Sequence, residues 1–186
     1  KTAIICFSGG VDSTSLLLHL LSKNYKVFTL SFNYGQKHQI EILKGEKNID
    51  YLNSEGYDVN HKIVNLQDCA ELLSSSLITE NNEIPTGYYK EKNMLSTVVP
   101  NRNAIFSSII YGYALTVAKL IKNNIIISLG VHSGDHTIYP DCRKEFYTQI
   151  MKAFKIGNWD TEKIALYLPY IKYAKSDILK DAIKNI

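Results

Sequence analysis

The stretch Ile4–Leu21, IICFSGGVDSTSLLLHLL, constrains the fold more than any other part of the chain. Ile4, Ile5, Cys6 and Phe7 form an unbroken apolar run of the kind found in strands buried on both faces of a parallel sheet. From Asp12 onward, Leu16, Leu17, Leu20 and Leu21 recur at helical spacing. Only Ser8, Gly9 and Gly10 stand between strand and helix. Glycines there let the backbone come close to a ligand and adopt positive φ, while the new helix presents unpaired N–H groups and the positive end of its dipole. Such a turn makes a phosphate cradle. An ordinary tight turn capped by Ser or Asp accounts for the same residues and stays open on this stretch alone.

The rest of the chain repeats the alternation of strand and helix. The pattern predicts strands over Ala3–Phe7, Lys26–Phe32, His61–Leu66, Ile125–Val131 and Ile164–Leu168. It predicts helices over Asp12–Lys23, Gln39–Asn53, Asp68–Ser74, Asn101–Lys122 and Arg143–Lys155, with a last one capped by Ser176 or Asp177. The longest helix is expected to bury a stripe of Ile105, Ile109, Tyr113 and Val117. Ser75–Pro100 shows no clear period and reads as a long loop, in which Lys90, Glu91 and Lys92 are solvated. Alternation of this kind implies an α/β fold, a doubly wound parallel sheet with helices on both faces. Ligands bind such sheets beyond the carboxyl ends of the strands. Polar clusters follow the second strand (NYGQKH) and the fourth (GVHSGDH), as a site there requires.

The 186 residues suit one domain, 1–186, with a full core. A net charge of +3 permits an anionic ligand but does not argue for direct nucleic-acid binding. The apolar run Ile105–Ile121 is interrupted by Ser107, Ser108, Tyr111, Tyr113 and Lys119, so no membrane association is expected. Gly9, Gly10 and Asp12 break the first apolar segment, and no signal peptide is read there. Cys6, Cys69 and Cys142 are scattered and odd in number, which points to a reducing, cytoplasmic setting.

The first turn carries neither the Gly-Lys-Ser/Thr of a Walker A loop nor the Gly-x-Gly-x-x-Gly of dinucleotide binders. Its Ser-Gly-Gly-x-Asp-Ser resembles the pyrophosphate loop (PP-loop) of the adenine-nucleotide α-hydrolase-like ATP pyrophosphatases, a Rossmann-like group. Four further segments follow in order: NYGQKHQIE (Asn33–Glu41), VPNRN (Val99–Asn103), GVHSGDHTIYPDCRKEF (Gly130–Phe146) and PYIKYAKSD (Pro169–Asp177). Together they resemble the 7-cyano-7-deazaguanine synthase family, QueC, over nearly the whole chain.

That resemblance implies a cytoplasmic, homodimeric amidoligase that takes small molecules: ATP, ammonia and 7-carboxy-7-deazaguanine. The acid is adenylated, ammonia displaces AMP to give an amide, and a second ATP drives the amide to the nitrile. Pathways of this family lead to queuosine, archaeosine or modified DNA. Carried onto this sequence, Phe7, Ser8, Gly9, Gly10, Val11, Asp12, Ser13 and Thr14 form the ATP loop, with Asp12 holding Mg²⁺ or fixing the loop. Ser31 and Phe32 meet adenine through their backbone, and Gly130 borders the nucleotide. Tyr34, Gln36 and His38 line the site behind it. Asp135, His136, Tyr139, Asp141 and Arg143 fall where the family binds the deazaguanine, whose paired donors suit a bidentate carboxylate. Arg102 would contact phosphate or substrate, and Lys175 would neutralise the adenylate. Asp12, Arg102 and Lys175 are thus the catalytic candidates. The family's four zinc-binding cysteines come shortly after the segment matching KSDILKDAIKNI, so structural Zn²⁺ is expected only if the chain continues beyond Ile186; no other metal site is expected.

Rival assignments also follow. A QueC-like antiviral-defence enzyme would join the adenylated acid to a partner protein. A tRNA-modifying PP-loop ATPase would need a large basic face or paired cysteines. Cys6 is expected in the core, and Cys142 is weakly placed as a nucleophile. His132 and His136, with Asp135 and Asp141, are expected to hydrogen-bond within the pocket rather than bind metal. His19 and His61 read as surface residues, Tyr111 and Tyr113 as packed ones, and Trp159 as a cap on the core.

Overall fold

A computed structural model describes residues 1–36, 40–70, 72–73, 98–136 and 139–185. Five strands form one sheet: β1 (Thr2–Cys6), β2 (Lys26–Asn33), β3 (Val59–Asn65), β4 (Ile125–Ser128) and β5 (Ile164–Tyr167). Their order is β3-β2-β1-β4-β5, and every pair is parallel. The helices are α1 (Val11–Ser22), α2 (Ile40–Ser54), the short α3 (Gln67–Ala70), α4 (Arg102–Ile121), α5 (Lys144–Ile156) and α6 (Lys175–Lys184). The doubly wound α/β fold read from the alternation is the fold observed.

Side chains of β1 alternate between two cores, as strand geometry demands. Ala3, Ile5 and Phe7 pack with Leu16, Leu17 and Leu20 of α1, Ile49 and Leu52 of α2, and Ile178 of α6. Ile4 faces the other way, against Ile110, Ala114 and Val117 of α4 and Met151 of α5. α4 is long and apolar enough to cross a membrane by composition, yet it lies on the sheet as a core helix.

Several expectations need correction. The buried stripe of α4 is Phe106, Ile110, Ala114 and Val117, with Tyr111 beside it, whereas Ile105, Ile109 and Tyr113 are only partly buried. A helix apolar on most sides has no unique period, so the sheet chose the face. β4 ends at Ser128 rather than Val131, since the chain leaves the ladder to build the site. α6 is capped at Ala174, whose N–H donates to the Asp177 carboxylate at 3.1 Å, so Asp177 acts from inside the first turn. Trp159 is 92% exposed and caps nothing. The segment 75–97 (with Lys90, Glu91 and Lys92), His38, and the ends of the expected helices at Gln39 and Ser74 lie outside the described residues.

Neither His19 nor His61 is a free surface residue. His61 bonds Thr29 Oγ1 through Nδ1 at 2.7 Å and sets its ring edge-on to Phe7. His19, on α1, lies between Asp181 Oδ2 of α6 and the Tyr167 hydroxyl of β5, both at 2.9 Å. The Tyr170 hydroxyl donates to the same Asp181 oxygen at 2.6 Å. This cluster clamps α6 to α1. Burial raises the Asp181 carboxyl, but the bonds from Tyr170 and His19 outweigh it and hold the group below the usual carboxylate range. Its stabilisation is therefore complete above the unfolded aspartate value of about 3.9 and is lost as pH falls through the lower folded value. Asp181→Asn should flatten the acid limb of a stability-against-pH curve. Asp181→Ala should cost about 2–4 kcal/mol in chemical unfolding at neutral pH, because two polar partners lose their acceptor.

Candidate active site

The chain reverses its winding between β1 and β4, and the loops that leave these two strands part there. A cleft of about 620 Å³ opens at this point. Its floor is the turn Phe7–Gly10 and the first residues of α1.

That turn is wound on its own hydroxyls. The Ser13 hydroxyl donates to the Gly10 carbonyl (3.1 Å) and accepts the Ser8 N–H (3.2 Å). Ser13 has then spent its proton, so the Ser8 hydroxyl donates to Ser13 Oγ (3.1 Å) and accepts the Gly10 N–H (3.2 Å). Gly9 takes φ +78°, and a Cβ there would run into the Glu41 carbonyl oxygen of α2. Gly130, after β4, approaches so closely that a Cβ would stand 3.1 Å from the Asp12 carbonyl oxygen. The first N–H groups of α1 have no acceptor within their helix and point the positive end of the dipole into the cleft.

A lysine and a histidine face this floor. Lys175, the first residue of α6, places Nζ 3.7 Å from Asp12 Oδ2, and His132 Nε2 stands 3.6 Å from the same oxygen. Burial raises the Asp12 carboxyl, but the polar contact with His132 and the charge of Lys175 outweigh it, and Asp12 stays below the usual carboxylate range. Arg102 opens α4 beside Tyr34. Burial would lower its pKa, but the Tyr34 oxygen and the charge of Asp141 raise it, so the guanidinium keeps its proton. Asn101, at φ 57°, makes the left-handed turn that aims this helix, a conformation Asn accepts readily.

The far wall is aromatic. Phe32 and Phe106 stack with centroids 4.1 Å apart and planes 5° from parallel, and Tyr34 leans on Phe106 at 5.5 Å. The Gln36 amide accepts the Tyr34 N–H (3.0 Å) and donates to the Phe32 carbonyl (3.2 Å), so it braces the turn after β2. The Ser31 hydroxyl donates to the Phe7 carbonyl, tying β2 to the floor.

The cleft thus gathers Phe7, Ser8, Gly10, Val11, Asp12 and Ser13 with Ser31, Phe32, Tyr34, Gln36, Arg102, Gly130 and Lys175. Gly9 and Thr14 support the loop from behind it: the Thr14 N–H donates to the Gly10 carbonyl at 3.0 Å. His136, Tyr139, Asp141 and Arg143 do not line the cleft. Arg143 Nε instead donates to the His136 carbonyl at 2.8 Å and closes their loop. Asp141 stands behind Arg102, and Asp135 ends the 3₁₀ turn Ser133–Asp135. Asn103, Phe106 and Glu41 also line the cleft. Phe106 was legible as one helical turn beyond Arg102; Glu41 carried no sequence signal.

Cys6 and Cys142 are poorly placed as nucleophiles. Burial pushes the Cys6 thiol up to about 12, and Cys142 is buried with the Asn103 amide 3.5 Å from its sulfur. Among the described residues no three His, Cys, Asp or Glu side chains group as a metal site.

The sequence pattern of the family described as "Queuosine biosynthesis protein QueC" matches residues 2–185. The chain belongs to that family. It is 40% identical over 185 residues to the 7-cyano-7-deazaguanine synthase 2 of Colwellia psychrerythraea, covering 99% of this chain and 79% of that protein. The 7-cyano-7-deazaguanine synthase of Caldicellulosiruptor saccharolyticus is 40% identical, over 98% of this chain and 76% of its own length. That of Methanoregula boonei is 38% identical, over 97% of this chain and 78% of its own length. A crystal structure described as a predicted subunit of tRNA methyltransferase from Methanocaldococcus jannaschii shares the fold, with TM-score 0.57 over 98% of this chain and 74% of that one, at 15% identity. As a QueC-family member the chain is an enzyme of the ligase type.

Gly9→Ala tests the floor independently of any reaction. The left-handed backbone and the collision with Glu41 should together cost about 2–5 kcal/mol, read as a lowered thermal midpoint. Gly35→Ala, also at positive φ but with nothing near its Cβ, should cost only the backbone share, about 1–2 kcal/mol.

Proposed function

We propose that the chain is an ATP-dependent ligase that converts 7-carboxy-7-deazaguanine and ammonia to 7-cyano-7-deazaguanine, releasing two AMP and two pyrophosphate. The observation that supports this reading is the shared cleft: a dipole-bearing phosphate loop, an aromatic slot and two cations converge in it. The α1 N-terminus and the loop N–H groups grip the pyrophosphate end of ATP, which makes that end the leaving group and directs attack to the α-phosphate. Adenine lies along the wall of Ser31, Phe32 and Phe106. The Phe32 carbonyl keeps a second lone pair for it beside Gln36.

Lys175 meets the charge that builds on the α-phosphate during transfer. Arg102 draws the acid's carboxylate toward the same phosphorus, with Asp141 behind it setting its direction. The loop of His136, Tyr139, Asp141 and Arg143 does not line the cleft and shapes the base site from behind Arg102; His136 Nε2 is buried and has no partner among the described residues. Asp12 Oδ1, equally buried and unpartnered, fits a single bond to a Mg²⁺ brought in on the phosphates. Such an ion neutralises phosphate charge; the protein supplies no further cluster for it among the described residues.

With labelled pyrophosphate, the wild-type enzyme should catalyse exchange into ATP only when the acid is present. Mass spectrometry should show the nitrile after addition of ammonia; appearance of a deazaguanine-protein conjugate instead would replace ammonia with a protein acceptor. Lys175→Ala and Arg102→Ala should each lower the exchange rate by about 10²–10³, as expected for removal of one charge stabiliser, and no exchange in wild type would overturn the proposal.

A further inference from the structure

His132 stands apart from the residues that line the cleft, yet its side chain is 5% exposed and turned to the underside of the phosphate loop. Its Nδ1 accepts the N–H of Gly134 at 3.1 Å. A nitrogen that accepts carries no proton, so the ring is neutral and its proton sits on Nε2, which faces Asp12 Oδ2 at 3.6 Å. Gly134 packs on the ring so tightly that a Cβ would meet Cε1 at 2.9 Å and Nδ1 at 3.0 Å. Ser133, between them, sends both its N–H (3.1 Å) and its hydroxyl (2.7 Å) to the Tyr173 carbonyl, two residues before Lys175. One turn therefore sets both groups that meet on the Asp12 carboxylate.

Lys175 and His132 share one oxygen of Asp12. If Lys175 alone satisfied that carboxylate, the ammonium would be drawn onto it and away from the cleft. A neutral N–H donor on the same oxygen loosens this hold without adding charge beneath the phosphates.

We propose that His132 is a positioning residue that holds the Asp12 carboxylate through Nε2–H and so leaves Lys175 available to the nucleotide. The proposal rests on the ATP reading of the cleft, and its effect runs through Lys175. His132→Asn is the discriminating variant: its Oδ1 can take the place of Nδ1 toward Gly134, keeping the turn, while nothing reaches Asp12. His132→Ala removes the contact with Gly134 as well as the one with Asp12.

Calorimetric titration with α,β-methylene-ATP should show His132→Asn binding about tenfold more weakly than wild type, at an unchanged thermal midpoint. Lys175→Ala should weaken binding by a similar factor. The double variant should be no weaker than Lys175→Ala alone, since both act through one ammonium. In the nucleotide-free wild-type protein, imidazole ¹⁵N shifts should show His132 with a bare Nδ1 and a protonated Nε2. Wild-type affinity in His132→Asn, effects that multiply in the double variant, or a protonated Nδ1 would each overturn the proposal. A wild-type protein that binds no nucleotide would overturn the ATP reading first, a result distinguishable from all three.

Discussion

Three backbone segments meet at the start of α1 closer than side chains would permit. Gly9 of the turn lies against Glu41 and Gly45 of α2, and Gly130 lies against the carbonyl of Asp12. Everything in the cleft depends on this approach. It brings the N-terminus of one helix, the flank of a second and the end of β4 to one point. With a Cβ at Gly9 the loop could not keep its left-handed turn, and with one at Gly130 β4 would stand off from the helix end. The site is thus made first of backbone, and its hydroxyls serve chiefly to hold that backbone in shape.

Charge is arranged around this frame with economy. Asp12 is the acidic group at the floor, and His132 and Lys175 converge on one of its oxygens. Arg102, across the cleft, is flanked by Tyr34 and backed by Asp141. An anionic ligand therefore meets cations on two sides and a helix dipole below. The clamp of His19, Asp181 and Tyr170 lies outside the cleft but reaches it mechanically, since it secures α6 and Lys175 is the first residue of that helix.

Much of this was legible in the residues because local rules governed it. The apolar run of β1, the leucine spacing of α1 and the Ser-Gly-Gly turn between them are short-range features, and periodicity reads short-range features well. The loop residues and Arg102 fell where expected for the same reason: each lies at the end of a strand or the start of a helix. Periodicity failed on α4, where apolar residues occupy most sides and only the sheet could select Phe106 over Ile105. It failed on His19 and His61 too, whose partners, Asp181 and Thr29, lie 162 and 32 residues away.

The sequence by itself determined the alternation of elements, hence the parallel sheet, and the conformation of the Ser-Gly-Gly turn, because these follow from hydrophobic period and from what glycine and serine permit locally. Only the tertiary structure decided which polar groups share a proton or a charge. His132 and Lys175 are 43 residues apart, and each is equally compatible with a solvent-facing position until β4 and α6 bring them to the same carboxylate. Electrostatic pairing falls steeply with distance and depends on burial, and neither is written in the order of residues along the chain.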